Sequence, residues 1–132
     1  MSKPIRQTVT IKAKTNDVYE ALMDSRKHAK FTGGQAKISR KVGGDIMAYD
    51  GYITGKNLEL VPDKKIVQEW RASEWPAGHT SKVTFTLTKI KSGTRLAFRH
   101  TGVPAEHYDS IKQGWIDSYW TPMKAMLEKQ GK

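Results

Sequence analysis

Four histidines and no cysteine frame the chemistry open to this 132-residue chain. Without cysteine there is no disulfide framework, thiolate zinc site, iron–sulfur cluster or cysteine nucleophile. His28, His79 and His107 lack the i, i+3 or i+4 spacing that sets two ligands on one helix face, so no metal site is expected. His100 alternates with Leu96 and Phe98, which makes it the one histidine the pattern places inside. It reads as a core or cavity-lining histidine rather than a general base, because spacing ties no carboxylate or nucleophile to it. The chain also has no Gly-rich phosphate loop, no G-x-S-x-G elbow and no carboxylates forced together by spacing. A protein without catalytic residues, metal or cofactor is the expectation.

The aromatic residues point to binding instead. Trp70 shares a strand face with Ile66 and Ala72, as a core residue or a ligand contact, and Arg71 then faces outward or meets an acid on a neighbouring strand. Trp75-Pro76-Ala77-Gly78-His79 carries the turn formers Pro76 and Gly78 and reads as a loop, either stapled by Trp75 or offering that ring to a partner. Trp70, Phe85, Phe98, His100, Trp115, Tyr119 and Met123 are candidates to line or to fill a cavity. Gly114 beside Trp115 lets a helix backbone approach the sheet, which argues for filling.

The elements that must position these residues follow from periodicity. Residues 5–12 alternate, with Ile5, Gln7, Val9 and Ile11 on one side, as a strand. Cap residues at 15–17, with Asp17 and Glu20 at capping-box spacing, open a short helix striped by Val18, Tyr19, Leu22 and Met23. A second short helix over 26–31 stops at Thr32-Gly33-Gly34. Strands follow at 36–41, 45–49 and 52–61, the last two joined across Asp50-Gly51 by a type I′ turn, then at 64–73 beyond Pro62-Asp63. The pattern is sharpest at 83–88 and 94–101, where Ser92-Gly93 makes the turn. From Pro104 the period changes: Tyr108, Ile111, Trp115, Tyr119, Met123, Met126 and Leu127 form the stripe of one long amphipathic helix, bent by Pro122 near Met123. The fold class is therefore α+β: an antiparallel sheet of six or seven strands curled around the C-terminal helix, in a single domain over 1–132.

The formal charge is +10, and residues 1–41 hold +7 of it against +1 over 42–91 and +2 over 92–132. The bases are scattered, among them Lys27 and Lys30, so the N-terminal third is a solvated basic face or a docking surface for an acidic partner. Nucleic acid is disfavoured, because the aromatics follow the buried pattern rather than an exposed stacking platform. No run approaches the roughly 18 apolar residues of a membrane span. The start, Met1-Ser2-Lys3-Pro4-Ile5-Arg6, lacks the apolar segment of a secretory signal, so a cytoplasmic protein is expected.

Three stretches carry a family resemblance: Asp50-Gly51-Tyr52-Ile53-Thr54-Gly55, then Leu58 through Arg71 with its Glu69-Trp70-Arg71 ending, then Trp75-Pro76-Ala77-Gly78-His79. Gly102-Val103-Pro104-Ala105 and Gln113-Gly114-Trp115 follow in the same order. Together they resemble the C-terminal domain of activators of heat-shock protein 90 ATPase, in the START-related helix-grip superfamily. The resemblance implies a helix-grip fold and a non-enzymatic co-chaperone-like binding module whose partner is a heat-shock protein 90 type chaperone. Lys27, Lys30, Arg71, Trp75 and His79 would then be the docking candidates. Eukaryotic co-chaperones of this kind carry a further N-terminal domain, and the family-like part here starts within the first dozen residues, so that domain is expected to be absent. Single-domain members of the superfamily imply the alternative, a carrier or sensor of an apolar small molecule held between sheet and helix.

Overall fold

The computed structural model describes residues 4–73, 75 and 78–130. Strand β1 (Ile5–Ile11) leads into helices α1 (Thr15–Met23) and α2 (Ser25–Thr32). Strands β2 (Lys37–Ile38), β3 (Asp45–Ala48), β4 (Ile53–Val61), β5 (Lys65–Ala72), β6 (Ser81–Ile90) and β7 (Gly93–Thr101) follow. The C-terminal helical stretch comprises α3 (Tyr108–Trp115), a π-helical turn (Ile116–Trp120) and α4 (Thr121–Gln130). All seven strands join one antiparallel sheet in the order β1-β7-β6-β5-β4-β3-β2. Every strand after β2 pairs with its predecessor, and β7 closes back onto β1, so α1 and α2 occupy the one long connection.

The inward residues alternate as a half-buried sheet requires: Val83, Phe85 and Leu87 on β6 and Leu96, Phe98 and His100 on β7 are all buried. The helix lid meets them through rings. Trp115 lies 4.3 Å from Phe98 and 4.9 Å from Trp70, centroid to centroid, and Trp120 lies 5.1 Å from Phe98. These large aromatic surfaces supply much of the area removed from water.

Four local expectations are corrected. Helix α1 begins at Thr15 with Lys14 as its uncapped flank, so no Asp17–Glu20 capping box forms; Asp17 sits in the first turn, where the helix dipole favours an acid. The 36–41 strand shrinks to β2, because Asn57 captures the carbonyls of Ser39 (2.6 Å) and Lys41 (3.0 Å) and holds that stretch as a turn. The last hairpin turns at Lys91-Ser92, and Gly93 already pairs with Ile90: a Cβ there would fall 2.2 Å from the Ile11 carbonyl, so only glycine fits where β7 crosses the end of β1. Finally, the long helix departs from α geometry at Ile116–Trp120, before Pro122 rather than after it. The chain turns at Asp50-Gly51, with both residues at positive φ (59° and 98°) and the Tyr52 N–H donating to the Tyr49 carbonyl at 3.1 Å, but within a four-residue loop between Ala48 and Ile53 in which Tyr49 is also at positive φ (52°).

Candidate functional site: an aromatic cavity under the C-terminal helix

A cavity of about 420 Å³ lies between the sheet and the C-terminal helix, within the range of small-molecule sites. Its walls include Trp70, Trp75, His100, Trp115 and Tyr119, with Tyr49 and Ile53 toward the β3–β4 hairpin. Exposed Tyr52 and Ser110 mark its mouth. Of the cavity candidates, Trp70, His100, Trp115 and Tyr119 therefore stand on its wall, whereas Phe85, Phe98 and Met123 are buried in the packed core beside it. Gly114 lines the cavity too, and an added Cβ there would meet nothing within 4 Å. The glycine opens space rather than bringing the helix onto the sheet, contrary to the expectation from its sequence neighbour Trp115.

The buried polar groups around this cavity are paired in chains whose proton positions follow from donor chemistry. The Trp115 indole can only donate, so His100 Nδ1 accepts from Trp115 Nε1 at 3.0 Å and the ring proton sits on Nε2. His100 Nε2 then donates to Ser81 Oγ at 2.7 Å, and Ser81 Oγ donates on to the Trp70 carbonyl at 3.3 Å. This is the reverse of a serine activated by a histidine base, because no lone pair of His100 faces the hydroxyl. Burial lowers the His100 pKa from 6.5 to about 3, which keeps the ring neutral.

His28 corrects the sequence reading that only His100 lies inside: its relative exposure is 4%. Its Nδ1–H donates to the Leu22 carbonyl at 3.2 Å, leaving Nε2 to accept from the Tyr119 hydroxyl at 2.9 Å. Burial lowers its pKa to about 4 and raises that of Tyr119 well above 10. The inward pair on α2 is His28 with Phe31, three residues apart and 5.0 Å between rings, a signal masked by the flanking bases Arg26, Lys27 and Lys30.

A second chain was not legible in the sequence. Trp70 Nε1 donates to Gln68 Oε1 (2.9 Å) and Gln68 Nε2 to Asn57 Oδ1 (3.1 Å), and Asn57 holds the 39–41 turn. Trp120, absent from the predicted stripe, is buried and its Nε1 donates to Gln7 Oε1 at 2.5 Å. The π turn carries the extra residue that lets Tyr119 and Trp120 both face the sheet, and the i, i+4, i+5 spacing of Trp115, Tyr119 and Trp120 was its only trace in the sequence.

Three of the four tryptophans thus have a partner for the indole N–H. Trp75 is 4% exposed, and its Nε1 is buried with no acceptor among the described residues. Its loop is held by Arg71, which donates to the carbonyls of Trp75 (3.0 Å) and His79 (3.4 Å), and by His79, whose Nε2 donates to the Gly102 carbonyl at 2.7 Å. Pro76, expected as a turn former in that loop, lies outside the described residues. Lys27 and Lys30 are exposed on α2, whereas Trp75 is in the cavity wall and Arg71 and His79 are half-buried. His107 sits in the short 3₁₀ turn Ala105–His107 ahead of α3. Among the described residues no three His, Asp or Glu side chains gather as a metal-binding group, and no helix is long and apolar enough to cross a membrane.

The fold is shared with an HSP90 activator from Plasmodium falciparum, at TM-score 0.89 and 22% identity, covering 96% of this chain and 97% of that one. In sequence the chain is 34% identical over 94 residues to the human activator of 90 kDa heat shock protein ATPase homolog 1, which covers 71% of this chain and 28% of the relative. It is 31% identical over 118 residues to the Dictyostelium discoideum activator, covering 86% of this chain and 31% of that one. The chain thus spans about a third of the length of the curated relatives it matches. The family model described as Activator of Hsp90 ATPase homolog 1-like protein matches residues 12–128. A match over so much of the chain, on a sheet and helix lid of the same fold, means that this protein belongs to the Activator of Hsp90 ATPase homolog 1-like family.

Proposed function

We propose that the chain is a non-enzymatic binding module that stimulates the ATPase of a heat-shock protein 90 type chaperone in the cytoplasm, needing no cofactor or metal of its own. The family match over residues 12–128 carries this reading. The chemistry of the cavity agrees with it: the two buried histidines spend both ring nitrogens on structural hydrogen bonds, and neither is poised to move a proton. Stimulation would come from binding one conformation of the chaperone more tightly than another and so raising its population, not from donated catalytic groups. Exposed Lys27 and Lys30 are the docking residues of this reading, and Arg71, Trp75 and His79 would act by shaping the 75–79 loop. The test is the steady-state ATPase of the purified chaperone with and without this protein. A rise that saturates with concentration and shrinks in Lys27→Glu/Lys30→Glu supports the reading; no rise together with no complex by sedimentation sinks it.

One observation favours a second reading, a carrier or sensor of an apolar small molecule: a 420 Å³ cavity walled by Trp70, Trp75, Trp115 and Tyr119 lies under the C-terminal helix. An uncharged, flat ligand would pack among those aromatic walls. Native mass spectrometry of the purified protein checks this reading; a clean apo mass, and no change in tryptophan fluorescence across a panel of aromatic carbonyl compounds, removes it.

A further inference from the structure

The sheet face turned away from the helix lid carries a charge pattern that neither the core nor the cavity explains. Strands β1, β7 and β6 are adjacent, and no Asp or Glu occurs in any of the three. Their outward positions are Arg6, Thr8 and Thr10 on β1, Arg95, Ala97 and Arg99 on β7, and Lys82, Thr84, Thr86 and Thr88 on β6. Arg6 lies directly opposite Arg99 in the ladder, and Arg95 lies opposite Thr10 and Thr88. All three arginines and Lys82 are exposed, and none takes part in an ion pair among the described residues. The nearest acid in register is Glu69, opposite Lys82 on β5.

Like charges placed directly opposite each other across a sheet disfavour the fold, so the Arg6–Arg99 juxtaposition weakens the structure that carries it unless something else neutralises it. Three arginines rather than lysines add rigid forks that match a carboxylate or phosphate through two hydrogen bonds. The surrounding side chains are threonines, which supply hydroxyls, and none of the exposed large hydrophobic residues lies on these strands. That lack of an exposed ring or apolar wedge is a poor match for stacking single-stranded nucleic acid or for entering a bilayer interface. An outward sheet face with basic groups along one strand fits an extended acidic polypeptide. Arg99 and Arg95 are about 13 Å apart along β7, the length of four extended residues, so carboxylates four apart on such a segment reach both.

We infer that the outer face of β1, β7 and β6, centred on Arg6, Arg95 and Arg99, is a docking surface for an acidic polypeptide segment. It is distinct from the Lys27 and Lys30 surface and does not depend on the partner being a chaperone. The bound segment would seat carboxylates between Arg6 and Arg99 and at Arg95, relieving the like-charge opposition, and its affinity would fall with added salt.

The test is fluorescence anisotropy with a labelled glutamate 20-mer and, in parallel, a labelled 20-base-pair duplex, titrated with the whole chain. The expected result is saturable binding of the glutamate peptide that weakens at least tenfold in Arg6→Thr/Arg99→Thr and at least threefold in Arg95→Thr. Lys37→Thr/Lys41→Thr, which removes the same charge elsewhere, should change it less than twofold. The thermal midpoint of Arg6→Thr/Arg99→Thr should equal or exceed that of the parent, which confirms that lost binding is not lost folding. Equal weakening by the two double variants would overturn the inference in favour of net charge alone. Tighter binding of the duplex than of the peptide, with the same dependence on Arg6 and Arg99, would overturn it in favour of nucleic acid.

Discussion

The Tyr49 hydroxyl donates to the Ser118 carbonyl at 2.9 Å, joining the tip of the β3–β4 hairpin to the π turn of the C-terminal helix. In an unbroken α-helix that carbonyl would accept from the N–H of residue 122, which is proline and has none. The hairpin therefore supplies a donor at the place where the helix lacks one, and the same contact sets one wall of the cavity.

Replacing Tyr49 with Phe should lower stability by about 1 kcal/mol, the worth of a part-buried hydrogen bond. In a Pro122→Ala background, where the helix regains its own donor, the loss should be smaller. Urea unfolding of the four proteins of that cycle measures the coupling, and identical losses in both backgrounds would separate Tyr49 from Pro122.

The two buried histidines make stability depend on pH in a definite direction. Their folded pKa values, about 4 for His28 and about 3 for His100, lie below the ordinary 6.5, so the unfolded chain binds protons first as the solution is acidified. Their contribution is complete above about pH 6.5 and is lost as pH falls through the folded values, by about 3 kcal/mol for His28 and about 5 kcal/mol for His100. Urea midpoints between pH 7 and pH 3 should fall less steeply in His28→Gln than in the parent, and parallel curves would refute the assignment.

Gly114 faces open space on the cavity wall, so Gly114→Ala should stabilise the helix by up to about 1 kcal/mol without a clash. Gly114→Leu should fill part of the cavity and abolish any ligand-dependent change in Trp115 fluorescence. A lower melting temperature for the alanine variant would mean that the space is not free.

Trp75 combines large buried area with an unsatisfied donor, and two substitutions separate these effects. Trp75→Ala should cost about 3–5 kcal/mol by leaving a cavity. Trp75→Phe removes the unpaired N–H, itself worth about 1–3 kcal/mol of penalty, and should come out near neutral. Thermal melts of both variants decide it; equal losses would mean that the N–H has a partner after all.

Much of the architecture was legible because strand alternation and helical stripes are written in side-chain type at fixed periods. The alternation over 83–88 and 94–101 marks which faces of β6 and β7 are buried, including His100. His28 was not legible, because its burial depends on α2 packing against Tyr119, a residue 91 positions away, while its neighbours in sequence are charged. Trp120 was missed for a related reason: a stripe read at 3.6 residues per turn cannot anticipate a π turn.

The sequence alone determined the element order, the inward faces of β6 and β7, the turn at Asp50-Gly51 and, through its motif words, the family. These depend on local periodicity and on residue identity, which need no partner in space. Only the tertiary structure decided which aromatic rings line the cavity and which fill the core, where each histidine proton sits, that Trp75 alone of the tryptophans lacks an acceptor among the described residues, and that Arg6 stands opposite Arg99. Each of those facts is set by strand register and helix placement between residues far apart in the chain, and no local pattern encodes either.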